Sequence, residues 1–131
     1  MTRTNENLQV VQSFFNNLEK RDVDAVLANF DESGYWDTPS GGPFTGRFFG
    51  RSGVGRLVKL LDLAHPSGRI VTDLTLHGES DRVFAEFNWA PMSDTAPRAP
   101  TRSLAVFELV FGKIAAVREF EAGPPSLHAA P

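Results

Sequence analysis

Arg69-Ile70-Val71-Thr72-Asp73-Leu74-Thr75-Leu76-His77 is the stretch where the hydrophobic period of this chain changes. Ile70, Thr72, Leu74 and Leu76 alternate with Val71, Asp73, Thr75 and His77, and a period of two belongs to a strand with two unlike faces. Gly78 to Asp81 reads as a turn. Val83 to Trp89 then predicts a second long strand, Arg102 to Phe111 a third, and Ile114 to Glu121 a fourth, with Gly112-Lys113 as a tight turn between the last two. Pro91 to Pro100 carries three prolines and reads as a mobile loop. The tail from Gly123 is rich in Pro and Ala and is expected to be loose.

Upstream of Arg69 the period is helical. Val10, Val11, Phe14, Phe15 and Leu18 recur at helix spacing, with Thr4 or Asn5 able to cap the start and Lys20-Arg21 closing the end. Asp22 can cap a second, shorter helix whose inward residues are Val23, Val26, Leu27 and Phe30. Asp31 to Gly34 reads as a turn, Tyr35 to Asp37 as a short strand, and Ser40 to Gly50 as a loop. Ser52 can cap a third helix carrying Val54, Leu57, Val58 and Leu61, although Gly53 and Gly55 weaken its first turn. Three helices followed by meandering strands predict an α+β domain, with the helices packed on one face of a curved antiparallel sheet.

Length and composition bound the possibilities. The 131 residues are expected to form a single domain, 1–131, with a core from about 5 to 121 and a loose tail over 122–131. A net charge of -3 gives no electrostatic reason to expect nucleic acid. There is no cysteine, hence no disulfide, no thiolate nucleophile and no Cys-ligated metal. Three scattered histidines without HxxxH or HxH spacing give no metal signal. No apolar run approaches membrane length and Met1 to Asn7 contains no signal-peptide core, so a cytoplasmic protein is expected. Eleven Phe in one domain can fill a core or line a large apolar cavity.

The residue with the most chemical promise is Asp37, in Tyr35-Trp36-Asp37-Thr38-Pro39-Ser40-Gly41-Gly42. A carboxylate beside two aromatic rings can be partly desolvated, which raises its pKa and makes it a better proton acceptor. The competing reading is a turn aspartate that bonds its own backbone.

Val10 to Leu18, then Arg21-Asp22-Val23-Asp24-Ala25-Val26-Leu27-Ala28-Asn29-Phe30, then Tyr35-Trp36-Asp37, resemble ketosteroid isomerase and the wider nuclear-transport-factor-2-like superfamily, including its SnoaL-like polyketide cyclases. The Phe44-Thr45-Gly46-Arg47 turn and the Phe111-Gly112-Lys113-Ile114 hairpin fit the same pattern. The resemblance implies a cone-shaped α+β barrel, open at one end, that holds a small apolar ligand, and a homodimer packed through the outer sheet face. It implies that Asp37, ending the first strand, is the base. It departs in two ways. Thr38 separates Asp37 from the proline that directly follows the base in the family. The two oxyanion-hole positions are Phe14 and Ala105, neither of which can donate a hydrogen bond from its side chain. Losing one such donor costs about 3–4 kcal/mol of transition-state stabilisation, which argues against efficient steroid isomerisation.

Glu119 can compensate. Ala115, Val117, Glu119 and Glu121 alternate with Ile114, Ala116, Arg118 and Phe120. Aligned on Gly112-Lys113-Ile114, the first set matches the isomerase's pocket face, and SnoaL-like cyclases resemble this pattern with an acidic acid–base residue on the last strand. A slip of one residue at a bulge would instead turn Glu119 outward, towards Arg118 or Arg102. With Asp37 and Glu119 inside, two carboxylates could divide base and acid roles, Tyr35 being a second candidate to return the proton. Ligand contacts are expected from Phe14, Tyr35, Phe87, Asn88, Trp89, Ala105 and Val117, with Asn88 able to bond a ligand carbonyl. His65 and His77 read as surface residues. The expectation is a cofactor-free enzyme acting on a hydrophobic ketone-type or polycyclic molecule by isomerase- or cyclase-like proton transfer. The alternatives are epoxide hydration and a non-catalytic ligand-binding or dimerisation domain.

Overall fold

The computed structural model describes residues 3–39, 44–91 and 101–121. Helix α1 spans Arg3–Lys20, α2 Val23–Ala28 and α3 Gly50–Ala64. Strands are β1 (Phe30–Thr38), β2 (Gly46–Phe49), β3 (Arg69–Glu79), β4 (Arg82–Pro91), β5 (Thr101–Val110) and β6 (Lys113–Glu121). They form one curved sheet in the order β2-β1-β6-β5-β4-β3. The α+β expectation holds, but the sheet is not wholly antiparallel, because β1 runs parallel to β6. The loop expected over 91–100 falls outside the described residues from 92 onward, as does the tail over 122–131.

The N-terminal half follows its local signals. Asp22 caps α2 by accepting a 3.1 Å bond from the Ala25 N–H, satisfying one of the orphan donors at a helix start. Phe30, expected at the inner face of α2, instead opens β1. That strand runs from Phe30 through the expected turn at 31–34, with a register break against β6 between Phe30 and Tyr35. Inside the expected 40–50 loop lies β2, paired to β1 by Tyr35↔Phe49, Trp36↔Phe48, Asp37↔Arg47 and Thr38↔Gly46. Helix α1 begins at Arg3, ahead of both expected caps, Thr4 and Asn5. Helix α3 begins two residues before Ser52 and has no side-chain cap.

Irregularities in β3 and β6 decide which side chains reach the interior. In β3 the register against β4 shifts between Thr72 and Thr75, with Asp73 at φ 54°. The shift lets Val71, then Leu74 and Leu76, pack against the core, rather than the unbroken even-numbered face that the sequence suggests. In β6 the register shifts where Leu109 pairs with Ile114 and Glu108 with Ala116. The bulge therefore lies before Val117. It brings Ile114 into the core and leaves the inward phase of Val117 and Glu119 as expected. Phe111 and Gly112, both at positive φ, form the β5–β6 turn, which suits a two-residue hairpin.

The core is aromatic. Phe14 on α1 meets Phe15, Phe30, Trp36 and Phe107 edge-on, with ring centroids 5.3–5.8 Å apart. Such edge contacts match positive ring edges to negative faces. Gly78 lets α1 sit close to β3, since a Cβ there would lie 2.7 Å from Thr4 Cγ2.

Candidate functional site

Inward-facing residues of β1, β3, β4, β5 and β6 and the inner faces of α1 and α3 line a cavity of about 130 Å³. Its walls are almost wholly apolar and include Phe14, Phe87, Trp89, Ala105 and Val117. Among the described residues, the one carboxylate of this wall that is not exposed is the half-buried Glu119, opposite Ala105 in the β5–β6 register. Its Oε1 accepts a 3.1 Å hydrogen bond from Trp36 Nε1.

Burial pushes the Glu119 carboxyl above its ordinary pKa. The Trp36 bond opposes that rise, Glu121 adds to it by like-charge repulsion, and Arg69 pulls it back. The two arginines that could have drawn Glu119 outward are engaged elsewhere. Arg118 pairs with Glu108 at 3.4 Å and Arg102 with Glu86 at 3.3 Å.

Asp37 does not reach the cavity. Successive side chains of a strand point to opposite faces, and β1 turns Trp36 inward, leaving it only 5 % exposed. Asp37 therefore faces out, where Arg47 on β2 grips it with bonds of 2.7 and 3.0 Å. Tyr35 shares that face, with the Arg47 guanidinium stacked 3.9 Å from its ring centre. Asn88 also lies outside, donating to Asp73 at 2.9 Å and accepting from Arg102 at 3.3 Å. The expected pair of inward carboxylates is thus a single one. Of the residues expected to contact a ligand, Phe14, Phe87, Trp89, Ala105 and Val117 line the cavity, whereas Tyr35 and Asn88 do not.

Five polar residues at the cavity escaped sequence reasoning, Glu19 at its rim among them. Trp36 orients Glu119. Thr38, on the same face of β1, bonds the carbonyls of Phe44 and Gly46 and helps shape the wall. His65, expected at the surface, lines the cavity and meets the Trp89 ring edge-on at 5.8 Å. Arg69, the first residue of β3, also lines it, with a side chain only 16 % exposed. Trp36 had a usable signal, since of two neighbours on alternating faces a tryptophan buries more readily than an aspartate. Among the described residues, no group of three or more His, Asp or Glu side chains is placed to hold a metal ion.

A family model for the SnoaL-like domain matches residues 11–117. The chain belongs to the SnoaL-like family. No curated protein matches it. Solved structures agree on the fold of this SnoaL-like chain. Bal32a, from a soil-derived mobile gene cassette, superposes with a TM-score of 0.83 at 19% identity, covering 92% of each chain. A protein of Kribbella flavida DSM 17836, provisionally assigned as a ketosteroid isomerase, gives 0.75 at 19% identity over 94% of this chain and 82% of the other. An LEH-like epoxide hydrolase of M. tuberculosis gives 0.72 at 23% identity over 92% and 85%.

Proposed function

We propose that this SnoaL-like protein moves a proton on a small apolar ketone-type molecule, with Glu119 as its acid–base group. The observation that carries the reading is the Glu119 carboxyl, held by Trp36 in a largely apolar cavity wall. As carboxylate, Glu119 takes a proton from the carbon next to the carbonyl and the C–H electron pair moves into an enolate. As carboxylic acid, it returns that proton to the same or another carbon. Isomerisation, aldol-type cyclisation and dehydration share the first step. A raised pKa makes Glu119 a stronger base once ionised. The acid and base roles first divided between Asp37 and Glu119 fall to Glu119 alone, because Asp37 is tied to Arg47 outside. Water activation on an epoxide is a variant supported by the likeness to the M. tuberculosis protein.

The test is solvent exchange. Apolar ketones of graded size are incubated with the protein in heavy water, and deuterium entering beside the carbonyl is followed by NMR. The wild type should accelerate the exchange, and Glu119→Gln should lose about 10²–10⁴-fold, the usual contribution of a positioned acid–base group. An unchanged rate in Glu119→Gln would rule the proposal out.

A binding-only role is the second reading, favoured by Phe14 and Ala105, which line the cavity without offering a side-chain donor. It predicts an apolar ligand retained without exchange. We also propose pairing with a second copy through the outer sheet face. Phe84, Leu104 and Val106 are only half-covered there, and Phe120 is 52 % exposed. Light scattering checks this, with a monomer at micromolar concentration as the contrary result.

A further inference from the structure

One end of the cavity, where α3 passes into β3, carries an unusual arrangement of charge. Helix α3 ends at Ala64, and Gly68, at φ 93°, closes the turn onto β3 with its N–H bonded to the His65 carbonyl at 2.8 Å. Arg21, at the end of α1, pins that turn by donating to the Pro66 carbonyl at 2.8 Å. The turn fixes the start of β3, so Arg69 is set on the cavity wall by local geometry rather than left to swing in solvent.

Two guanidinium groups there share one carboxylate. Asp62 Oδ1 lies 3.7 Å from Arg69 and 3.8 Å from Arg21, both beyond hydrogen-bonding distance. Arg21 is the more exposed and is screened by water, whereas Arg69 is mostly buried. Glu119 is the other acid within electrostatic reach of Arg69, but it makes its hydrogen bond to Trp36 and forms no ion pair with Arg69. Asp62 is therefore the one carboxylate in ion-pair range of both Arg69 and Arg21 among the described residues. Burying a charge without a close partner is costly, and a planar guanidinium is shaped to take a carboxylate through two parallel bonds. Glu19 and Glu121 also border the cavity, but they are exposed at its rim, where water and salt damp their repulsion.

We propose that the cavity takes a small apolar carboxylic acid, its carboxylate held by Arg69 and its hydrocarbon body by the aromatic walls. The inference uses the same cavity as the proton-transfer reading and adds the charge class of the ligand. It does not require Glu119 to perform chemistry.

Both tryptophans of the chain line this cavity, so intrinsic fluorescence reports ligand entry. Binding of cinnamate, cinnamyl alcohol and cinnamylamine is compared at neutral pH for the wild type, Arg69→Met and Arg69→Lys, with each variant's thermal transition recorded. The wild type should bind cinnamate at least about tenfold more tightly than the alcohol or the amine, the worth of one charge-assisted contact. Arg69→Met should erase the preference, and Arg69→Lys should keep part of it. If Arg69→Met does not fold, the wild-type ranking and Arg69→Lys decide. Equal binding of the three probes, preference for the amine, an anion preference that survives in folded Arg69→Met, or no binding of cinnamate overturns the proposal. Absence of an anion preference in the wild type alongside intact ketone exchange sinks only this inference. Anion binding with exchange unaffected by Glu119→Gln sinks only the proton-transfer reading.

Discussion

Trp36 and Glu119, 83 residues apart in sequence, are joined by a 3.1 Å hydrogen bond from the indole Nε1 to Oε1 inside the cavity. The bond ties β1 to β6 at the half-buried carboxyl of the largely apolar wall. It also sets that carboxyl's orientation and opposes its tendency to hold a proton.

Trp36→Phe keeps an aromatic ring but removes the donor. Because the Trp36 bond lowers the Glu119 pKa against the effect of burial, the variant should titrate Glu119 at higher pH than the wild type. Carboxyl-selective carbon NMR measures the shift, and the acidic limb of any exchange profile, set by ionisation of the base Glu119, should move to higher pH as well.

The raised pKa of Glu119 also makes stability depend on pH. The folded state holds this proton more tightly than the unfolded chain, whose value is near 4.5. Between that value and the folded one, the folded state binds more protons, so the Glu119 contribution falls as pH rises through this window and is fully present only below it. Glu119→Gln should flatten this part of the profile and make the protein more stable than wild type above the window. Urea unfolding at a series of pH values is the check.

Phe14 holds the aromatic cluster together through four edge contacts and is 1 % exposed. Phe14→Ala should cost about 3–5 kcal/mol, combining lost burial with an unfilled cavity. The loss is read as a lower denaturation midpoint at unchanged slope.

Asp37→Asn removes the charge that Arg47 grips on the exposed face. Ion pairs in such positions add little to global stability, so the unfolding midpoint should barely move. The local effect should be faster amide exchange across Gly46–Phe49, the short edge strand that this pair helps to hold against β1.

Much of the architecture could be read locally. The helix of Val11, Phe14 and Phe15, the Asp22 cap and the alternation of β4 and β5 all depend on neighbours in sequence. Strand β2 was hidden because Arg47, Phe48 and Phe49 sit among glycines and gain strand character only by pairing with Tyr35 to Thr38. The side-chain parity of β1 misled in the same way. Asp37 has an apolar neighbourhood in sequence, yet Trp36 takes the interior and sends it outward to Arg47. Glu119 was legible because the β6 bulge falls before Val117; one placed after it would have turned this side chain to solvent. Arg69 and His65 gave no local signal, since their cavity position comes from the α3–β3 turn meeting strands distant in sequence.

The most direct test of the central claim measures deuterium incorporation into one accepted apolar ketone by wild type, Asp37→Asn and Glu119→Gln side by side. The account predicts that Asp37→Asn exchanges at the wild-type rate and that Glu119→Gln falls by about 10²–10⁴-fold. Loss of exchange in Asp37→Asn with retention in Glu119→Gln would contradict it.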